Sequence, residues 1–368
     1  MTEPVPRLVV RCDAGREVGG GHLMRCLRLA EEFRSRGGEA IFVSVIDSDA
    51  MRARVRKSGF DLVPLTMSHP APEDAERTID FLRDYRPDWI VLDGYHFESP
   101  YQKEMQETGV RVLVMDDMAH LPRYHADIIV NQNLGAEDCT YACGGETRLL
   151  VGLRYALLRE EFLRWRNWER EVPSFARRIL ITLGAGDPGN QAAEVLRAVA
   201  RLAGNGVENL EVVVVIGPAG AQVGALRAVG DDLGLDVTVQ EDPTDMSKLM
   251  AWADVAVSGG GSTCWELAFM GLPNLILVLA DNQKGAAHHL EKAGVSRSLG
   301  WWEDVSESSL TAHLKELMEG HALRREMSRK GRTVLDGEGA ARIVRAMRMS
   351  VNQPAWASTA PRRRGMEP

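Results

Sequence analysis

Short apolar runs, many of them β-branched, alternate with amphipathic segments along most of the chain. In the first half the runs are Leu8 to Arg11, Ala40 to Ile46, Asp61 to Leu65, Trp89 to Leu92, Val110 to Met115 and Asp127 to Val130. All have strand length. Between them, His22 to Arg36, Glu73 to Tyr85 and Pro100 to Glu107 read as helices. In the first of these, Leu23, Cys26, Leu27, Ala30 and Phe33 recur at helical spacing and form one apolar stripe. Strands alternating with helices predict a parallel sheet covered on both faces.

The pattern then starts again. Its runs are Ile179 to Leu183, Leu210 to Ile216, Val237 to Val239, Val255 to Val257 and Asn274 to Leu279. Helical segments intervene at Gln191 to Leu202, Met246 to Ala253, Thr263 to Met270 and Gln283 to Ala293. Between the halves, the Trp- and Arg-rich stretch Leu158 to Arg178 reads as a helix followed by a linker. The expected architecture is α/β, with two doubly wound Rossmann-like domains, 1–165 and 178–349, facing across a cleft. A linker, 166–177, joins them, and 350–368, where prolines and three consecutive arginines replace periodicity, is expected to be a disordered tail.

Composition narrows the classes. The 368 residues carry 44 Lys plus Arg against 52 Asp plus Glu, a net charge of −8, which argues against a nucleic-acid partner. No apolar run approaches the ~20 residues of a membrane span. The N-terminus lacks the basic-then-apolar order of a signal peptide. The five cysteines, Cys12, Cys26, Cys139, Cys143 and Cys264, form no C-x-x-C pair, so free thiols in a cytoplasmic protein are expected. With no heptad repeat, a monomer or weak dimer without stable membrane association is the expectation.

Three constellations carry candidate chemistry. Arg11-Cys12-Asp13, Gly19-Gly20-Gly21-His22 and Arg25 sit where the first strand gives way to the first helix, at the carboxyl edge where open α/β sheets bind ligands. The glycines permit a sharp turn and close approach to a ligand, and their spacing is not the G-x-G-x-x-G of a dinucleotide site. His22 is either a general base or a helix cap. Asp13 either orients His22, binds a hydroxyl, or caps the turn. Ser258-Gly259-Gly260-Gly261-Ser262-Thr263-Cys264-Trp265-Glu266 repeats the strand, glycine loop and helix order. Its N–H groups and hydroxyls suit a diphosphate, with Glu266 placed to accept from ribose hydroxyls, the alternative being a purely structural glycine turn; no Lys follows the glycines, so it is not a P-loop. Leu279-Ala280-Asp281-Asn282-Gln283 closes the next strand and offers amides to a sugar, or a helix cap.

Weaker features remain. Gly184 to Asn190 is expected to face the cleft, and Tyr95, in Asp93-Gly94-Tyr95-His96, to reach substrate. Asp116-Asp117 ends a strand and reads as a substrate contact or, at least as well, as a capped turn. Asp47-Ser48-Asp49 has the form of a D-x-D metal motif without a second ligand cluster, and His288-His289 lacks metalloprotease spacing.

Taken in order, R-C-D-A-G-R-E-V-G-G-G-H-L-M-R-C-L-R-L-A, D-D-M-A-H with V-N-Q-N-L-G, G-L-R-Y-A-L-L-R-E-E-F, S-G-G-G-S-T-C-W-E and L-A-D-N-Q resemble the PseG-type UDP-sugar hydrolases, a family that includes spore-coat polysaccharide proteins. Gly15 departs from it, a serine being common there. The resemblance implies the GT-B fold, similar to the transferase that adds N-acetylglucosamine to lipid-linked peptidoglycan precursor. It implies cleavage of UDP-2,4-diacetamido-2,4,6-trideoxy-β-L-altropyranose to UDP and free sugar, towards pseudaminic acid. His22 would be the catalytic base and Gly260, Gly261, Ser262 and Thr263 the nucleotide loop. Glu266 would meet the ribose, while Gly20, Gly21, Arg25, Tyr95, Asn282 and Gln283 would meet the substrate. Water would attack the anomeric carbon with inversion, and the scheme uses no metal or cofactor. The rivals are a GT-B glycosyltransferase with a separate acceptor and a sensor that binds without turnover.

Overall fold

The computed structural model describes residues 5–15, 18–184, 191–217 and 223–351. Two parallel sheets form. The first contains β1 (Arg7–Cys12), β2 (Glu39–Ser44), β3 (Asp61–Pro64), β4 (Trp89–Asp93), β5 (Arg111–Met115), β6 (Ile128–Asn131) and β7 (Arg148–Val151), in the order β3-β2-β1-β4-β5-β6-β7. The second contains β8 (Arg178–Thr182), β9 (Glu211–Ile216), β10 (Asp236–Glu241), β11 (Val255–Gly259), β12 (Asn274–Val278) and β13 (Arg297–Trp301), in the order β10-β9-β8-β11-β12-β13. The central strands β4, β11 and β12 are buried along their whole length. Their near-continuous apolar runs are what a sheet covered on both faces requires.

Each strand order reverses once, between β1 and β4 in the first sheet and between β8 and β11 in the second. At such a point successive connections leave towards opposite faces, and a crevice opens at the carboxyl ends of the strands. The glycine turn before His22 follows β1, Asp93 ends β4, and the Gly260 loop follows β11. Topology alone therefore brings the candidate residues to the two crevices.

The expected runs become strands, and two further strands lie at sheet edges. β7 (R-L-L-V) and β13 (R-S-L-G-W) are partly exposed and lack a sustained apolar run. The helix expected after Leu158 is a single turn, Glu160–Leu163. Helices at Asp49–Lys57, Val223–Asp232, Glu307–Glu319, His321–Val334 and Gly339–Val351 add to those expected. Among the described residues no helix is long and apolar enough to cross a membrane. The expected tail lies almost wholly outside the described residues.

The helix Gly339–Val351 departs from the expected division at residue 349. Ala340, Ile343, Val344, Ala346 and Met347 pack into the first sheet's core with Leu23, Leu27 and Ala30 of the helix Gly21–Ser35. It starts at a point of backbone contact: a Cβ on Gly339 would lie 2.1 Å from the Ala156 carbonyl oxygen. The chain thus crosses between the halves twice, and Ile343 is fully buried. Ile343→Ala is expected to destabilise the protein by about 2–5 kcal/mol in urea unfolding, the usual cost of such a core truncation.

Candidate active site

A cavity of about 340 Å³ lies between the two halves. Gly20, Gly21, His22, Arg25 and Tyr95 line it from the first half; Gly260, Gly261, Ser262, Thr263, Glu266, Asn282 and Gln283 line it from the second. A Cβ on Gly21 would sit 3.9 Å from Ser262 Oγ, so the two glycine turns face each other directly. Gly184 also lines the cavity, whereas 185–190 fall outside the described residues.

His22 opens the helix Gly21–Ser35, and its Nδ1 lies 2.7 Å from Asp93 Oδ1. Arg25, one turn on, binds the same carboxylate from Nε at 2.7 Å and Nη2 at 2.6 Å. It also binds Asp117 from Nη1 and Nη2, both at 2.9 Å. Both hydrogens of Nη2 are engaged with carboxylates, so Nδ1 of His22 receives none from it and donates to Asp93. The remaining lone pair of the ring is on Nε2. Burial alone would push the Asp93 carboxyl up, but Arg25 and then His22 outweigh it and hold it well below the usual carboxylate range. Asp117 is lowered the same way, Arg25 overcoming burial.

Tyr95 completes this wall. Its hydroxyl donates to Asp117 Oδ2 at 2.9 Å, and its ring meets the His22 ring edge-on with centroids 5.0 Å apart. Burial, reinforced by Asp117, pushes the phenol well above its ordinary value, so it remains a donor. From the second half, Asn282 Nδ2 donates to the same hydroxyl at 2.9 Å.

Asp13 is corrected. It does not orient His22; the carboxylate at that position is Asp93. Asp13 pairs with Arg11, accepts from the Val45 N–H at 2.8 Å and meets His96 Nε2 at 3.0 Å. Val45 follows β2 and His96 follows β4, so Asp13 ties together loops on either side of β1, and it does not line the cavity. Asp93 stood in the strand-end motif Asp93-Gly94-Tyr95-His96 and Asp117 in Asp116-Asp117, but neither was assigned to His22 or Arg25.

On the opposite wall, Gln283 Oε1 accepts from the N–H groups of Gly260 at 2.9 Å and Leu279 at 3.0 Å. Its carbonyl therefore joins the loop after β11 to the end of β12. A Cβ on Gly260 would lie 2.9 Å from that of Gln283, whereas one on Gly261 would meet nothing within 4 Å. Glycine is needed at 260 for packing, while the chain at Gly261 is open to the cavity. Glu266 is held by both oxygens, from Arg159 Nε at 2.7 Å and Nη2 at 2.8 Å. A ribose at Glu266 would thus meet a carboxylate already oriented by Arg159, itself a lining residue.

The weaker motifs resolve locally. Asp116 accepts from the hydroxyls of Tyr124 and Tyr141 and from the N–H groups of Met118 and Ala119, as a capped turn does. Ser48 caps the helix Asp49–Lys57, and Asp49 pairs with Arg52. The His289 ring lies against Gly135 of the first half, where a Cβ would clash at 2.4 Å. Among the described residues no group of His, Cys, Asp and Glu could hold a metal ion.

With this geometry established, comparison with known proteins separates fold from activity. MurG from Acinetobacter baumannii superposes with a TM-score of 0.64 at 16% identity, covering 94% of this chain and 99% of its own. The fold is GT-B. A Glycosyltransferase family 28 C-terminal domain model matches residues 186–343. Spore coat polysaccharide biosynthesis protein SpsG of Bacillus subtilis is 23% identical over 333 residues, 90% of this chain and 95% of that protein. UDP-2,4-diacetamido-2,4,6-trideoxy-beta-L-altropyranose hydrolase of Campylobacter jejuni is 26% identical over 170 residues, 45% of this chain and 56% of that protein. The likeness is thus to GT-B glycosyltransferase-like proteins.

Removing Arg25 would leave Asp93 and Asp117 buried without their cation. Arg25→Ala is expected to cost about 3–5 kcal/mol at pH 7, as when one partner of a buried pair is lost. Both carboxyls are lowered in the fold, so the stability they lend is present above their unfolded pKa, about 4, and is lost as pH falls through the folded values. The gap between wild type and variant should therefore narrow from pH 7 to pH 3 in urea unfolding.

Proposed function

We propose that this protein hydrolyses a UDP-activated 2,4-diacetamido-2,4,6-trideoxy sugar to UDP and the free sugar. The observation that carries the reading is the His22–Asp93 pair on one wall of a cavity whose other wall is the Gly260–Thr263 loop. The Campylobacter relative's name supports the substrate.

In this reading the diphosphate rests on N–H groups and hydroxyls of Gly260, Gly261, Ser262 and Thr263, and the ribose lies by Glu266 and Arg159. The sugar extends past Asn282 and Tyr95 to His22. His22 Nε2 takes a proton from water as the water's oxygen attacks the anomeric carbon and the bond to the diphosphate oxygen breaks, with inversion. Asp93 holds the ring and faces the imidazolium as it forms. The loop N–H groups meet the charge that gathers on the departing diphosphate. Tyr95 and Arg25 keep the wall in register, and Gly20 and Gly21 let the sugar approach it.

A second reading, transfer of the sugar to a separate acceptor, is favoured by the family 28 match and the likeness to MurG. Fold does not decide between them. With the UDP-diacetamido sugar in ¹⁸O-labelled water and no acceptor, label is expected in the free sugar; label in UDP would mean attack at phosphorus. Release of UDP only on adding an acceptor would select the transferase. His22→Ala is expected to lower turnover by about 10²–10⁴-fold, and a near-wild-type rate would remove His22 as the base.

A further inference from the structure

The cavity holds a donor that the proposed reaction does not use. Gln132, just after β6, is 2% exposed and lines the cavity. Its Oε1 accepts from the Leu157 N–H at 3.0 Å. That bond fixes which way the carboxamide faces, because a backbone N–H requires an acceptor. The amino group, Nε2, is thereby turned elsewhere, and no described residue accepts a hydrogen bond from it. Gln132 lines the cavity, so this donor, held in one fixed direction, is available to a ligand there.

Asn133 supplies the converse. Its Nδ2 donates to the Asp117 carbonyl at 3.3 Å and to Asp117 Oδ1 at 3.2 Å, so its Oδ1 is an acceptor, and Asn133 also lines the cavity. Gln132 is tied on one side, through Asn133, to the Asp117–Tyr95–His22 wall. On the other it is tied, through Leu157, to the segment carrying Arg159, which grips Glu266. The ligand group that reaches it lies between nucleotide and base, which makes it the sugar. The charge nearby is unfavourable to an anion, since Arg25 is shared by Asp93 and Asp117. The matching group is neutral, with a strong acceptor beside a donor, as an amide has.

We propose that Gln132 is a specificity-determining residue, donating from Nε2 to the carbonyl oxygen of an N-acyl substituent on the sugar, with Asn133 Oδ1 accepting that substituent's N–H. This rests on the reading of the cavity as a UDP-sugar site. The test is calorimetric binding of UDP, UDP-glucose, UDP-N-acetylglucosamine and the UDP-diacetamido sugar, in the His22→Ala background so that turnover is slow on the timescale of the titration. Gln132→Met is expected to weaken the acetamido sugar nucleotides about tenfold or more, leaving UDP and UDP-glucose within about twofold. Gln132→Glu keeps an acceptor for the Leu157 N–H but loses the donor, and should lower the ratio of acetamido-sugar to UDP affinity in the same direction. Unchanged acetamido-sugar affinity in both variants, or an equal loss for UDP, would overturn the assignment. Failure of the parent to bind UDP at all would instead overturn the site reading beneath it.

Discussion

One guanidinium holds the first wall of the cavity together. Arg25 is nearly buried, and its three nitrogens reach two carboxylates that arrive from different strands, Asp93 at the end of β4 and Asp117 beyond β5. Two buried carboxylates at this separation repel each other, and a planar cation with donors on two edges is the group that can satisfy both. Everything nearby is set by that arrangement. Asp93 fixes His22, Asp117 fixes Tyr95 and Asn133, and the net charge left over from Arg25 and the two carboxylates is negative.

The second wall meets the first through a few defined contacts. Asn282 reaches Tyr95, Arg54 reaches Asp242 at 2.7 Å, and His289 rests on Gly135. Leu134 packs against the second half's core, while the last helix returns to the first. The Asn282–Tyr95 bond has particular consequence. It links the loop that ends β12, through Tyr95 and Asp117, to the residue that clamps the His22–Asp93 pair. The position of one half on the other is thereby tied to the geometry of the His22–Asp93 pair.

The motif V-N-Q-N-L-G shows how one short stretch serves several purposes at once. Asn131 binds the Tyr141 hydroxyl, Gln132 the Leu157 N–H, and Asn133 Asp117. Leu134 and Gly135 then provide the contact with the other half. Amides suit such a seam because each offers donor and acceptor without adding charge to a wall already short of cations.

Local pattern was enough to read much of the architecture. Short apolar, β-branched runs bounded by turns and alternating with amphipathic segments mark the strands of a covered parallel sheet, so most strands, the doubly wound class and the two glycine turns were legible. The edge strands β7 and β13 were not, since their partly exposed positions carry no sustained run, although the edge strands β3 and β10 were. The helix Gly339–Val351 carries an apolar stripe in its own sequence, but its place in the first sheet's core is set by the tertiary fold. At the site, His22, Tyr95 and Asn282 stood in recognisable motifs, as did Asp93 and Asp117, but which of them pair was not legible. The choice of Asp93 over Asp13 was made by the order β1-β4, which sets the end of β4 beside the first helix while the β1 carboxylate is drawn to Arg11 and His96. Sequence spacing determines what a strand or helix is; which side chains meet across them depends on strand order, and that is a property of the tertiary structure alone.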